Sequence, residues 1–246
     1  MARMKVARVL AVGIAVAVIE SRVPGQETQG SREKWFTFDD AEEGKAPAGW
    51  RIGQANPTEA MATWAVVKDE SASSGQKVFG VTRTKNSGST YNVAMAEDTS
   101  FAGLDVTVRS KAVSGEEDQG GGVIWRCRDE NNYYICRFNP LEGNFRAYKV
   151  VDGDRKMLAS AQVVTKADTW YTIQVVMAGT RMACYLNGEK WLEADDDVFG
   201  QAGMVGLWTK ADAVTYFDDL VVREYAEVEK TEEKGEGGGV EADAPR

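Results

Sequence analysis

The chain has 246 residues, carries a formal net charge of −9 and contains no histidine. This excess of acid argues against nucleic acid and anionic membrane surfaces as partners, because phosphates are bound by basic surfaces. The absence of histidine excludes Ser-His-Asp and Cys-His catalysis and most zinc sites, so any chemistry must use carboxylates, Tyr, Lys, Arg or a hard cation.

The first 25 residues are typical of a signal peptide. Arg3, Lys5 and Arg8 precede an uninterrupted run of small apolar residues at 9–19. This run is too short for a bilayer, which needs about 20 helical residues, but it suits the apolar region of a signal peptide. An uncleaved N-terminal anchor is the alternative. We expect an exported protein, periplasmic or extracellular, with no membrane attachment after cleavage of residues 1–25.

The other end of the chain has little to bury. Residues 227–246 are rich in glutamate and glycine, and such a segment does not offset the entropy of ordering it. We therefore expect a disordered acidic tail at 227–246. What remains, 31–226, has a length suited to one domain.

Short runs rich in Val, Thr, Tyr, Trp and Phe follow one another through this domain, separated by Gly, Asn and Asp. They predict strands at 35–38, 63–68, 78–82, 91–95, 104–112, 123–128, 133–138, 145–151, 155–161, 170–177, 181–186, 203–209 and 215–223. No part shows a sustained 3.6-residue apolar period, so helices are not expected. Many short strands with turn signals between them indicate an all-β sandwich or barrel.

Two dipeptides predict tight hairpins between these strands. Asp152-Gly153 and Asn187-Gly188 each separate two apolar runs. Both central residues of a type I′ turn need positive φ, which Asn, Asp and Gly tolerate. The strands at 145–151 and 155–161, and those at 181–186 and 189–191, are therefore expected to pair.

The stretch 120–151 predicts successive strands with an apolar and a polar face. Alternation of side chains assigns to the buried face Val123, Trp125, Cys127, Tyr134, Cys136 and Phe138. It assigns to the opposite face Arg126, Arg128, Tyr133 and Arg137. A slip of one residue in the pairing would bury arginines. The pattern therefore predicts the register in which the apolar residues of the two strands share one face and the polar residues share the other.

The chain has three cysteines, Cys127, Cys136 and Cys184. The first two are predicted on the same face of adjacent strands, where a Cys127–Cys136 disulfide would need the right strand pair and dihedral angle. Export would permit the bond. The alternative is that all three are small hydrophobic core residues.

Six short segments resemble parts of concanavalin A-like (laminin-G-like) jelly-roll domains of exported bacterial proteins. WFTFDD and PAGW resemble their opening, GVIWR and NNYY their middle, and GMVGLW and FDDLVV their end; they lie at 35–40, 47–50, 122–126, 131–134, 203–208 and 217–222. Over most of 35–223 the chain resembles the 3-keto-disaccharide hydrolase-like domain. The resemblance implies an antiparallel two-sheet jelly-roll sandwich of the lectin and glucanase type, and a carbohydrate context.

Arginines, aromatics and one glutamine are the predicted ligand-binding residues: Arg126, Tyr133, Arg137, Arg146, Tyr148, Gln174 and Trp208. Sugars use aromatic rings for their C–H faces and planar multi-donor groups for their hydroxyls. In the resembling domains glycans lie on the concave sheet, so we expect these side chains on that face. The alternative is a solvated face on which arginine stems cover apolar area.

Paired aspartates near both ends of the domain suggest a structural calcium ion. Asp39 and Asp218 lie on terminal strands, which jelly rolls often place side by side, and carboxylates suit a hard cation. The alternative is that both are turn or cap residues. No other cofactor is expected.

Three functions follow from these features. The first is a glycan-binding module that holds a carbohydrate on its concave sheet face. The second is a glycoside hydrolase or lyase of the 3-keto-disaccharide hydrolase type, working by metal-assisted chemistry or through loop carboxylates such as Glu97, Asp129, Glu130 or Glu142. The third is an extracellular adhesion or scaffold module. The Glu-x-Asp-x-x-Glu signature of the family 16 glucanases is absent, which favours binding over cleavage, and the sequence assigns neither a catalytic residue nor an oligomeric state.

Overall fold

The computed structural model describes residues 32–225, so the predicted signal peptide at 1–25 and the tail at 227–246 lie outside the described residues. Over 32–225 the secondary structure consists of strands, and no helix there could cross a membrane. The strands are β1 Glu33–Phe36, β2 Trp50–Ala55, β3 Thr63–Lys68, β4 Lys77–Arg83, β5 Tyr91–Phe101, β6 Leu104–Ser114, β7 Gly121–Asp129, β8 Asn132–Asn139, β9 Asn144–Val151, β10 Asp154–Gln162, β11 Trp170–Ala178, β12 Arg181–Leu186, β13 Glu189–Asp195, β14 Gly203–Lys210 and β15 Val214–Glu224.

The strands form two antiparallel sheets that pack on each other. Sheet A has the order β13-β12-β11-β6-β15-β4-β3, with β1 added beside β15, and sheet B has the order β10-β9-β8-β7-β14-β5-β2. Between them the indole Nε1 of Trp125 in sheet B lies 3.0 Å from Sδ of Met177 in sheet A. The predicted all-β, two-sheet jelly-roll sandwich is confirmed.

Alternation of side chains explains why these segments form strands. On β11, Ile173, Val175 and Met177 are buried between the sheets, whereas the residues between them are only half-buried. Each such side chain contributes roughly 1.5–3 kcal/mol when it leaves water. Both predicted hairpins are also present, and their central residues have positive φ, 51° and 84° at Asp152-Gly153 and 51° and 81° at Asn187-Gly188.

The pairing of β7 with β8 follows the predicted register up to Trp125 and then departs from it. Val123 pairs with Cys136 and Trp125 with Tyr134, but the register shifts between Trp125 and Asp129. Arg126 lies at this bulge with a φ of 45°. Against its other neighbour, β14, Ile124 pairs with Gly206 and Cys127 with Met204, so β7 carries one extra residue at this point. One extra residue inverts the alternation of faces beyond it.

The bulge separates the two cysteines that were predicted to share a face. Cys136 lies in the core between the sheets, whereas Cys127 belongs to an apolar cluster on the outer face of sheet B. The predicted Cys127–Cys136 disulfide is therefore wrong, and all three cysteines are buried free thiols. The Cys136 thiol interacts instead with Cys184 of sheet A, and burial raises the pKa of Cys136 well above its ordinary value.

Sheet B is curled, so that its two edge strands approach each other at one end. Asn56, directly after β2, donates from Nδ2 to the carbonyl oxygen of Gly153, directly before β10, at 2.8 Å. β2 and β10 are the opposite edges of the sheet. The curl partly encloses the outer face of sheet B, where the arginine and aromatic residues lie.

Candidate ligand-binding face

The centre of the outer face of sheet B is a floor of aromatic rings. Tyr133 on β8 and Trp208 on β14 are both fully buried, and Trp208 Nε1 donates to the Tyr133 hydroxyl at 3.1 Å. Burial raises the pKa of Tyr133 well above its ordinary value, so the hydroxyl stays protonated. The structure brings these two predicted residues together, but beneath other side chains and not at the surface.

Arg155 on β10 covers this floor. Its guanidinium carbon lies 4.4 Å from the ring centroid of Tyr148, 5.3 Å from that of Tyr91 and 5.8 Å from that of Trp208. The Nη1 atom of Arg155 is buried and has no hydrogen-bond partner among residues 32–225. Arg155 is not among the residues predicted from the sequence, because strand alternation does not show that the edge strand β10 curls over the face.

Arg137 on β8 is held beside this floor by three side chains. Its Nη1 donates to Asn144 Oδ1 at 2.5 Å, and its Nη2 donates to Glu142 Oε2 at 2.9 Å and to the Tyr148 hydroxyl at 3.2 Å. The residue is only 1% exposed, and its Nε lacks a partner within the described range. Arg137 and Tyr148, both predicted as ligand-binding residues, are thus in direct contact.

Arg146 on β9 is bound to the same carboxylate. Its Nη1 donates to Glu142 Oε2 at 3.1 Å and its Nε to Ser160 Oγ at 3.1 Å. Partial burial opposes ionisation of Glu142, but hydrogen bonds from Asn144 and Arg137 and the charges of both arginines outweigh it and lower the pKa of Glu142 to about 2. Glu142 is therefore anionic at neutral pH. We call Arg137, Arg146, Arg155, Tyr148, Glu142 and Asn144 the arginine cluster.

A second polar group adjoins the cluster at the same end of sheet B. Asp118 is 2% exposed; it accepts a hydrogen bond from Lys210 Nζ at 2.9 Å and another from Asn139 Nδ2 at 3.0 Å. Burial raises the pKa of Asp118, and the neighbouring lysine opposes that rise. Asp118 is not among the residues predicted from the sequence, because it closes an acidic run that resembles a solvated loop.

Arg126, although predicted in the ligand-binding set, lies apart from the arginine cluster. It donates to three backbone carbonyls, those of Ala102 at 2.7 Å, Phe199 at 2.9 Å and Gly179 at 2.8 Å. The bulge at Arg126 directs its guanidinium toward these loops, and the side chain fastens them together. Strand alternation placed Arg126 on the ligand face because the pattern contains no signal for the bulge.

Gln174 also lies away from the cluster. It belongs to β11 of sheet A, where its Nε2 donates to Asp105 Oδ1 at 2.9 Å. The cluster and Gln174 are therefore on different sheets. Local alternation predicted the strand of Gln174 correctly but did not indicate which of the two sheets that strand joins.

The predicted calcium ligands Asp39 and Asp218 both bind one loop. Asp39 Oδ1 accepts from the backbone amides of Gln76 at 2.7 Å and Lys77 at 3.2 Å, and Asp218 Oδ2 accepts from that of Ser74 at 3.0 Å. Burial raises the pKa of Asp218 to about 6. Among the residues that the structure describes, no group of three or more acidic or thiol side chains is placed to hold a metal.

The other loop carboxylates considered for catalysis are held elsewhere. Asp129 Oδ1 accepts from the backbone amide of Asn131 at 2.8 Å and so caps its own hairpin turn. Glu97 and Glu130 flank Arg51, with N–O distances of 3.5 Å and 3.3 Å. None of the three contacts the arginine cluster.

Solved structures share this fold at low sequence identity. The carbohydrate-binding module CBM66 from Bacillus subtilis has a TM-score of 0.57 and 18% identity, covering 72% of this chain and 96% of its own. The cellulose-induced protein Cip1 has a TM-score of 0.56 and 12% identity, covering 79% and 98%. A Bacillus subtilis protein of unknown function with a galectin-like fold has a TM-score of 0.50 and 12% identity, covering 71% and 89%.

Comparisons of the sequence complement these structural matches. A search of curated proteins finds no match for the chain. The family model of the 3-keto-alpha-glucoside-1,2-lyase-like domain matches residues 37–223, which is nearly the whole sandwich. The chain is thus a carbohydrate-related β-sandwich, and it belongs to the family of 3-keto-alpha-glucoside-1,2-lyase-like domains, as the sequence resemblance predicted.

Proposed function

We propose that the domain binds a glycan at the arginine cluster on the outer face of sheet B. The observation that carries this proposal is Arg155, which is half-buried over three aromatic rings and has a guanidinium nitrogen without a partner in the described part of the chain. Planar multi-donor groups placed among aromatics are the usual means of holding a polar ligand in a defined orientation.

The comparisons support a carbohydrate as the ligand class. The matched family takes its name from a keto-glucoside, and one structural neighbour is named as a carbohydrate-binding module. The partly or fully exposed groups fit such a ligand, because Arg146 and Arg155 offer donors whereas Glu142 and Ser160 offer oxygen atoms. A glycan would lie across strands β9 and β10 and make its main contacts with Arg155.

The carboxylates near the cluster favour binding over cleavage. Acid–base chemistry needs one carboxyl group with a raised pKa beside one that stays ionised. The pKa of Glu142 is lowered to about 2 and that of Asp118 is raised by burial, so the two directions match this pattern. Glu142, however, is bound by two arginines, and Asp118 is only 2% exposed and is paired with Lys210. Both carboxylates are therefore engaged in holding cations.

A lyase or hydrolase activity on 3-keto-glucosides is the second candidate, and family membership is the observation that favours it. Incubation of the protein with a 3-keto-glucoside, followed by chromatography of the sugars, tests it directly. Turnover that is lost in Asp118→Asn and in Glu142→Gln, but kept in Glu97→Gln, would establish catalysis at this face. Absence of turnover would leave binding as the function.

A glycan array probed with the purified full-length chain tests the leading proposal. We expect binding to at least one glycan and its loss in Arg155→Ala. Arg83→Ala is the matched control, because Arg83 is an exposed arginine on β4 of sheet A. Binding to no glycan by a folded protein would overturn the proposal. Equal binding by both variants would move the site away from the cluster, toward another face or toward an adhesion or scaffold role.

Two further expectations from the sequence enter this proposal. We propose export by a cleaved signal peptide, which N-terminal sequencing of protein recovered from outside the cytoplasm would test.

Calcium at Asp39 and Asp218 likewise stays a proposal. An ion that binds only the folded state must stabilise it, so calcium should raise the melting temperature and a chelator should lower it. A melting temperature that responds to neither would refute the site.

A further inference from the structure

The charges of the arginine cluster do not balance. Arg137, Arg146 and Arg155 contribute three positive charges and Glu142 one negative charge, which leaves +2 on a patch of a chain whose net charge is −9. The adjoining pair Asp118 and Lys210 adds no net charge. A local excess of cations on an acidic protein therefore lies at the proposed glycan site.

The excess of positive charge is concentrated at Arg155. Glu142 is shared by Arg137 and Arg146, both of which lie within 3.1 Å of its Oε2. Arg155 forms no ion pair with any residue of the described range, and its partners are the rings of Tyr148, Tyr91 and Trp208. A guanidinium stacked on a ring keeps its in-plane N–H groups available, and these match the two oxygens of a carboxylate.

The interior of the arginine cluster also has fewer hydrogen-bond acceptors than donors. The Nε of Arg137 and the Nη1 of Arg155 are buried without a hydrogen-bond partner in the described part of the chain. Buried donors without an acceptor are costly, and a charged donor more so than a neutral one. Arg155 is half-buried whereas Arg137 is 1% exposed, so at Arg155 the guanidinium can turn outward and bring this nitrogen to an acceptor on a ligand.

Resting on the proposed function, we propose that the glycan bound at this face is anionic and carries a uronic acid unit whose carboxylate pairs with Arg155. Tyr148 positions the arginine by stacking and in turn accepts a hydrogen bond from Arg137. Arg146, held by Glu142 and Ser160, is available for hydroxyl groups of the same or a neighbouring sugar.

The test compares an oligogalacturonate with its fully methyl-esterified form, which keeps the sugar rings and removes the charges. Calorimetric titration of the full chain at low ionic strength should show the acid binding at least about tenfold more tightly than the ester. Arg155→Gln should abolish that difference, whereas Arg83→Gln should retain it. A circular dichroism spectrum and melting temperature like those of the unaltered protein establish that Arg155→Gln is folded.

Each remaining outcome overturns a definite part of the inference. Equal affinity for acid and ester would refute the anionic ligand and leave neutral glycan binding intact. Polyglutamate binding as tightly as the oligogalacturonate would refute the sugar and indicate an acidic peptide. If neither oligosaccharide binds but a neutral glycan on the array does, the uronic acid alone would be refuted. Failure of every glycan would remove the proposed function as well.

Discussion

Single arginines in this domain have opposite roles that their sequence positions do not distinguish. Arg126 is 3% exposed and bonds to three backbone carbonyls, whereas Arg155 rests on aromatic rings and has a buried donor without a partner among residues 32–225. Alternation along a strand predicts a face, but neither a bulge nor the curl of a sheet. The sequence therefore predicted Arg137, Arg146 and Tyr148 at one face, wrongly added Arg126 to that face, and did not include Arg155.

Replacement of Arg126 by alanine should destabilise the domain. Three carbonyls in loops around the sandwich would lose a charged donor. Bonds of this kind contribute about 1.5–3 kcal/mol each, but water that enters beside the shortened side chain replaces part of them. We expect a loss of about 3 kcal/mol in the free energy of unfolding, measured by urea denaturation. Arg128→Ala is the control, because Arg128 is exposed and its guanidinium lies over the Phe199 ring instead of bonding to these carbonyls. Equal losses in both variants would contradict a structural role for Arg126.

Asp218 should make stability depend on pH. Burial raises its folded-state pKa from the ordinary 3.8 to about 6, so between these values the folded state binds more protons than the unfolded state. The free energy of unfolding should thus fall as pH rises from about 4 to 6, by on the order of 2 kcal/mol from this group. Urea denaturation across this range should show the slope, reduced in Asp218→Asn. An unchanged slope in the variant would assign the effect to other groups.

At the scale of strands, glycine allows the backbones of two neighbouring strands to approach closely. The run Gly120-Gly121-Gly122 opens β7, and a Cβ at Gly122 would lie 1.9 Å from the carbonyl oxygen of Cys136 on β8. The sequence showed the three glycines but not their cause, because close approach of two backbones is a tertiary property. Most strand positions and both hairpins, by contrast, follow from local alternation and turn residues and were predicted correctly. β2 at Trp50–Ala55 was not predicted, and β1 lies at Glu33–Phe36 instead of at 35–38.

Gly122→Ala should therefore force β7 and β8 apart. Overpacking against backbone that has no room to move costs about 3 kcal/mol or more, and the shift would displace Arg137, which pairs with Gly122. We expect a large fall in the urea midpoint together with weaker glycan binding. Gly200→Ala is the control, since a Cβ at that position would lie 3.9 Å from its nearest neighbouring atom. A Gly122→Ala protein as stable as the control would show that the strands can separate at low cost.

At the scale of the whole sandwich, the curl of sheet B turns a set of separate strands into a site. Arg155 reaches the ring of Tyr91 although four strands lie between β10 and β5 in the sheet order. Family resemblance predicted the two sheets, and side-chain alternation predicted most residues of the face. Neither predicted closure of the face, because closure depends on a contact between residues that are 97 positions apart.

That contact supplies the last prediction. Asn56 has a φ of 49°, and its amide donates to the Gly153 carbonyl. Asn56→Asp keeps a residue that tolerates this φ but places a carboxylate against a carbonyl oxygen. We expect a loss of about 1 kcal/mol and faster hydrogen exchange in β10 and at Tyr91, with no change in β11 of sheet A. Glycan binding should weaken with it, because Arg155 would no longer be held over its aromatic floor.

Asn187→Asp is the matched control for this variant. Asn187 has a similar φ of 51°, but its side-chain oxygen accepts from the amide of Thr172 at 2.8 Å, a role that aspartate retains. Exchange and binding should therefore stay unchanged in the control. If Asn56→Asp also left exchange in β10 unchanged, the two edges of sheet B would be held together by the backbone alone. Curvature would then be a property of the strands themselves, and Arg155 would keep its place without the contact.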